Sequence, residues 1–311
     1  MRDEIFTVIP DKEIPVEDEI LPPQVSEAGR GKLRVTEAEI RRKIRNFLFE
    51  NQVRQLHEAD IEELADICYV PGSTHVMATC TLGGGKYYLK FSEDALFYEF
   101  DPSLQILIEY LAYRIYGLYS GIRIPRPELV YDRSRKRVGL ATSPASGRPV
   151  TVWDPEIVKL GRAMSEGVYV DIFLANWDVV GTGTANVFMD DAGATRIDPG
   201  GSLTFRAQGG RKGSKFSKSA GELSTMMDFR GAGRVFQYSD LSVAAKEFLS
   251  VPWERIEREI KVVGEEVSFE LRSRDMMNLL GQWRADIENI LDTLEARHDA
   301  VAASAEMILE S

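Results

Sequence analysis

The sequence predicts an α+β fold in two lobes, a small β-rich N-lobe followed by a larger helical C-lobe. Three observations point to it. β-Branched and aromatic runs concentrate between residues 75 and 143, and helical periodicity dominates after about 153. The 311 residues are 44% hydrophobic, enough for one large core or two modest ones. With 28% charged residues, most of the chain is expected to fold.

Residues 1–33 are acidic and carry Pro10, Pro15, Pro22 and Pro23; they read as an extended arm, with Ile5, Phe6, Val8 and Ile9 available to dock. The N-lobe is assigned to 34–147. It opens on "TEAEIRRKIRNFLFENQ", where Thr36 and Glu39 form a capping box and Ile40, Ile44, Phe47 and Leu48 an apolar stripe. "THVMATCTL" and "KYYLKF" read as a hairpin across Gly83-Gly84-Gly85. "SLQILIEYLAYRIYGL" is helical, its stripe running Leu104, Leu107, Ile108, Leu111, Ile115 and Leu118. "RPELVYD" and "RVGLATS" are two further strands, and "PASGRPV" reads as a linker. The C-lobe, 148–311, contains helical stretches at "DPEIVKLGRAM", "EGVYVDIFLAN", "DLSVAAKEFLS" and "PWERIEREIKVV", then a long pair over about 268–305.

One hairpin interrupts those helices, and it carries the chemistry. In "DIFLANWDVVGTGTANVFMDDAGATRIDPGGSL" two short apolar stretches flank Asp190-Asp191-Ala192-Gly193. With the turn centred on Ala192, Asn186 and Asp198 face each other across the strands, close enough to share one hard cation. Mg²⁺ takes such a sparse oxygen set and completes it with water and phosphate oxygens. Asp178, at the end of the preceding helix, enters the same neighbourhood.

An Asp in a loop, an Asn after it and an Asp-x-Gly closing a hairpin is the order used in kinase-type phosphoryl transfer. That order asks for more parts upstream. Lys90 stands on the third strand, in "KYYLKF". Glu109 lies in the next helix, off the apolar stripe among Gln105, Ala112 and Tyr113, and so able to turn towards Lys90. "PGSTH" supplies Gly72, Ser73 and Thr74, whose amides could cover phosphates.

On these residues the chain resembles the protein-kinase-like superfamily. It is most similar in pattern to the atypical branch of phosphoinositide 3/4-kinases, actin-fragmin kinase and HipA-type toxin kinases. The motifs are "PGSTH", "YYLKF", "ILIEYLAYRIYG", "IRIP", "NWDVVGTGTANVF" and "RIDPGG". The resemblance implies a bilobal kinase-like fold with ATP and Mg²⁺ in the cleft. Lys90 would contact the α/β-phosphates and pair with Glu109, Asp178 would be the catalytic base, and Asn186 and Asp198 the metal ligands. There are departures. Asn176-Trp177 precede Asp178 in place of His-Arg, and Pro199 replaces the phenylalanine of the metal-binding triplet. "VVGTGTA" lengthens the catalytic loop, and Tyr88, on the face of Lys90, stands where many kinases place alanine over the adenine.

The acceptor implied is a protein hydroxyl or the chain itself. An inactive nucleotide-binding or interaction module, a lipid kinase and a nucleotidyl transferase stay open as alternatives. Arg206, Arg211, Lys212, Lys215 and Lys218, among Ser214, Ser217 and Ser219, form either a solvated loop or a segment that engages an anionic acceptor.

Other classes are disfavoured. A formal net charge of -11 opposes general nucleic-acid binding, which depends on Lys and Arg. Cys68 and Cys80 form no CxxC pair, and His57, His75 and His298 are scattered, so no zinc pattern arises. "GTGTAN" lacks a dinucleotide fingerprint and "LGGGKYY" is no P-loop. No signal peptide and no apolar run of membrane-spanning length is visible, so a cytoplasmic location, in its own cell or a host's, is expected. Trp153, Trp177, Trp253 and Trp283 read as packing residues.

Overall fold

The computed structural model describes residues 57–59, 76–82, 85–92, 100–133, 135–181, 185–228 and 230–311. The acidic arm, the Thr36 helix, Cys68 and the Gly72-Ser73-Thr74 turn lie outside them. The described residues form a mixture of helix and sheet.

A five-stranded sheet has the order β1-β4-β5-β3-β2, built from β1 (His57–Ala59), β2 (Val76–Leu82), β3 (Gly85–Phe91), β4 (Pro127–Asp132) and β5 (Arg137–Thr142). β1 runs parallel to β4; the other pairings are antiparallel. The β2–β3 ladder closes on Leu82↔Gly85, so Gly85 belongs to the strand. β3 is an interior strand, paired on one side with the edge strand β2 and on the other with β5, which fixes Lys90 between two neighbours.

Helix α1 (Ser103–Tyr116) packs on β3, β4 and β5 and also on the later helices. A one-sided stripe was expected, yet every residue of α1 except Arg114 is buried. Arg114, half-buried, pairs with Glu259 and Glu266. A helix enclosed on all sides must carry its polar residues inward, and so Gln105, Glu109 and Tyr113 are inside.

The sequence after β5 departs from a plain linker. Its last residues form β6 (Arg148–Val150), which joins β7 (Val187–Asp190) and β8 (Gly193–Arg196) in a three-stranded sheet. The helices are α2 (Ile157–Ala163), α3 (Val168–Phe173), α4 (Glu222–Thr225), α5 (Gly233–Phe236), α6 (Leu241–Leu249), α7 (Trp253–Ser273) and α8 (Met277–Glu310). α6 starts where Asp240 accepts from the N–H groups of Ser242 and Val243. "PWERIEREIKVV" is the front of a longer α7 that continues to Ser273, and the final helix begins at Met277. No helix among the described residues is long and apolar enough to cross a membrane.

Candidate phosphoryl-transfer site

The hairpin register is one residue off the expected one. Val187 pairs with Arg196 and Asp190 with Gly193, around a two-residue turn, Asp191-Ala192. Asp190 fixes that turn: its carboxylate accepts from Ala192 N–H at 2.9 Å and is held by Arg123 at 2.6 Å. Asn186 therefore lies opposite Ile197, whose N–H donates to Asn186 O at 2.8 Å, and not opposite Asp198. By alternation Asp198 would then point to the other face. It does not continue the strand. Asp198 adopts a left-handed conformation, φ 51 and ψ 63, which interrupts the alternation and re-aims its carboxylate.

That carboxylate meets Lys90. Lys90 Nζ donates to Asp198 Oδ1 at 2.7 Å and to Glu109 Oε2 at 2.8 Å. Lys90 and Glu109 are buried, while the Asp198 side chain is 46% exposed. Burial acts to lower the Lys90 pKa, but the adjacent Asp198 and Glu109 carboxylates outweigh it and hold the ammonium above its ordinary range. Burial pushes Glu109 up to about 7, Lys90 pulling it down and Asp198 adding to the rise. A Cβ at Gly200 would sit 2.8 Å from Glu109 Oε2 and 3.0 Å from Asp198 Oδ1, so the cluster needs glycine there.

Asp178 adjoins the cluster. α3 ends at Phe173, so Asp178 sits in a turn five residues beyond the helix. Burial, then the charge of Asp198, raise its carboxyl above the ordinary range, and a hydrogen bond from Asn186 partly offsets them. Asn186 Nδ2 donates to Asp178 O at 2.7 Å and to Asp178 Oδ2 at 3.1 Å. With its nitrogen so used, the Asn186 amide oxygen is the atom left for a ligand role. Asp178 is thus the common neighbour of Asn186 and Asp198. Tyr88, two residues before Lys90 on β3, is 40% exposed.

Among the described residues no three His, Cys, Asp or Glu side chains cluster as a metal site. The oxygen set here is two carboxylates and an amide. The charge of Asp198 raises the cost of ionising Asp178, and such an oxygen set, partly open to solvent, suits a hard divalent ion that retains water and phosphate oxygens.

Several residues bracing the site were missed by sequence reasoning. Tyr113, one turn after Glu109, accepts from Asp198 N–H at 3.0 Å; its i+4 spacing from Glu109 was the available signal. Asp171 accepts from Arg196 Nε and Nη2 and from Tyr116 OH, and Asn176 Nδ2 donates to that same Tyr116 oxygen at 3.1 Å. Trp283 is buried, but Trp153 and Trp177 are exposed; Trp177 Nε1 donates to Glu222 at 3.2 Å.

The basic segment is largely occupied. Arg211 pairs with Asp286, Lys218 with Asp292, and Lys212 is buried with Nζ on Ala175 O at 2.6 Å. Burial lowers the Lys212 ammonium to about 7; Glu222 opposes this and Arg297 and Arg206 reinforce it. Unfolded, the amine keeps its proton to about 10.5. Between those values unfolding takes up a proton, so this group makes stability rise with pH, by up to about 1.4 kcal/mol per pH unit. Lys212→Met should flatten that rise in denaturant midpoints measured over roughly pH 7.5 to 9.5. An unchanged slope would show that Lys212 holds its proton throughout.

No protein-family model matches the chain, and no curated protein matches its sequence. Among solved structures it is similar to a Helicobacter pylori proinflammatory kinase, CtkA, at 12% identity and a TM-score of 0.44. That alignment covers 76% of this chain and 94% of that one. The side-chain geometry, and not this likeness, carries the functional reading.

Proposed function

We propose that the chain is an ATP- and Mg²⁺-dependent phosphotransferase of the atypical kinase type, acting on a protein hydroxyl or on itself. One observation carries the reading: a buried lysine, 2.8 Å from Glu109 and 2.7 Å from Asp198, stands beside an Asp178–Asn186 pair. A protein core has no use for an ammonium shared by two carboxylates with a third carboxylate adjoining, since burying such charge is costly. Phosphoryl transfer has: its chemistry is mostly positioning and charge neutralisation.

In this reading Lys90 binds the α/β-phosphates, with Glu109 holding its direction. Asp198 and the Asn186 amide oxygen would hold the Mg²⁺, which supplies charge neutralisation on the phosphates when bound. Asp178 accepts the proton of the acceptor hydroxyl, and Tyr88 offers a ring face to the adenine. Gly72, Ser73 and Thr74 are assigned to the phosphate-covering turn. Exposed Arg206 and Lys215 are the members of the basic segment best placed to meet an acceptor. The chain is read as working in a cytosol.

Incubation with γ-labelled ATP and Mg²⁺ tests this. Label should appear on protein or as released phosphate, and Asp198→Ala should abolish it. Transfer of α-label instead would mean nucleotidyl chemistry, and no transfer of either label would mean a binding module.

A further inference from the structure

The turn that carries Asp178 is fastened from behind by groups distant in sequence. α3 has only six residues, so its last carbonyls look outside the helix for donors. Its last two carbonyls, Ile172 and Phe173, and the two that follow, Leu174 and Ala175, each receive a donor distant in sequence. Arg297 Nη2 donates to Ile172 O at 2.6 Å and Arg297 Nε to Phe173 O at 2.8 Å. Leu203 N–H donates to Leu174 O at 2.7 Å, and Lys212 Nζ to Ala175 O at 2.6 Å. Ala175 and Leu203 are both left-handed, φ 54, a conformation that persists in non-glycine residues only when the surroundings hold it.

Arg297 and Trp177 share one buried carboxylate. Glu222 Oε2 accepts from Arg297 Nη2 at 2.8 Å, and Glu222 Oε1 accepts from Trp177 Nε1 at 3.2 Å. Arg297 Nη1 reaches Ser217 O at 2.9 Å. A continuous run of hydrogen bonds therefore leads from Arg297 on α8, through Glu222, to Trp177, the neighbour of Asp178, while Lys212 fastens the same turn separately at Ala175 O. Arg297 is fully buried, and nothing in the proposed chemistry uses it.

We propose that Lys212, Arg297 and Glu222 are positioning residues that lock the Ala175–Asp178 turn and make its geometry depend on the docked 204–222 segment and the C-terminal helix. This rests on the reading of Asp178 as the base. The relay does not touch substrate; it acts through the backbone of the turn, where a displacement of about 1 Å costs on the order of 10²-fold in rate.

Lys212→Met and Glu222→Gln test it with little change of volume. Turnover with MgATP should fall about 10- to 100-fold while KM for ATP stays within about twofold, because the interaction lost acts in the transition state. Arg297→Lys, retaining the charge, should recover part of what Arg297→Met loses. Lys218→Met, in the same segment but paired at the surface with Asp292, should behave as wild type. The second readout is the Trp177 indole N–H resonance, assigned with Trp177→Phe, whose protection from exchange should drop in Lys212→Met and Glu222→Gln. Unaltered turnover in these two folded variants overturns the relay, as does failure of both to fold, which would make the residues structural only. If the wild type itself shows no turnover, the phosphotransferase reading fails, and the relay then stands or falls on whether the Trp177 signal changes.

Discussion

Asp178→Ala should lower phosphoryl transfer by about 10²- to 10⁴-fold, the range for removal of a positioned general base, in a protein that stays folded. Stability should hold because Asp178 makes no ion pair among the described residues and its carboxyl is already pushed up by burial and by Asp198. Removing it leaves no buried cation unpaired and relieves a like-charge contact. ATP binding should persist, since Lys90, Glu109 and Asp198 remain. Asp178→Asn separates the base from its shape: the amide preserves the volume and the Asn186 contact region but takes up no proton, so its loss should match that of Asp178→Ala. The base must be deprotonated to act, and its pKa is raised, so the acidic limb of the wild-type rate profile should lie above the ordinary carboxylate range. Turnover near wild type in either variant removes Asp178 from the mechanism.

Lys90 and Glu109 were legible because each stands on an element whose type the local pattern dictates, a β-branched and aromatic run and a periodic helix. The hairpin was legible too, but not its register. A two-residue turn and a three-residue turn fit the same apolar alternation, and the choice is made by Asp190 binding Ala192 N–H and Arg123. Nor does alternation foresee that Asp198 leaves the strand left-handed. Lys212 was read with its basic neighbours as one charged run, whereas the fold separates them, burying Lys212 and leaving Lys215 exposed. Arg297 gave no signal at all. It looks like one more charge on a polar helix, and its partners lie 75 to 125 residues away. Local rules see periodicity along an element; they do not see which distant carbonyls a buried cation will cap.

The largest loss of stability is expected from Asp171→Ala, about 3–5 kcal/mol, or roughly 10 °C in melting temperature for a domain of this size. Asp171 is fully buried and receives Arg196 at 3.0 Å (Nε to Oδ1) and 2.9 Å (Nη2 to Oδ2), with Tyr116 OH at 2.7 Å. Truncation leaves the Arg196 guanidinium in the core with the Met164 carbonyl as its remaining partner. It has no room to move away, because a Cβ built on Gly167 would already lie 2.2 Å from it. Burying the pair costs desolvation that its mutual attraction need not repay. Burial raises the Asp171 carboxyl above its ordinary value despite Arg196, so its ionisation works against the fold as pH rises through that range. The double variant Asp171→Leu/Arg196→Met should therefore recover at least half of the loss, as apolar replacement of buried pairs does. What it should not recover is turnover. Tyr116 OH links Asp171 to Asn176, two residues before Asp178, so the double variant keeps a stable core while leaving that turn without one of its braces. Denaturant melts of the single and double variants, read beside their MgATP turnover, check both halves. A double variant as unstable as Asp171→Ala would mean the ion pair does hold the fold; one with full turnover would mean the network has no hold on the site.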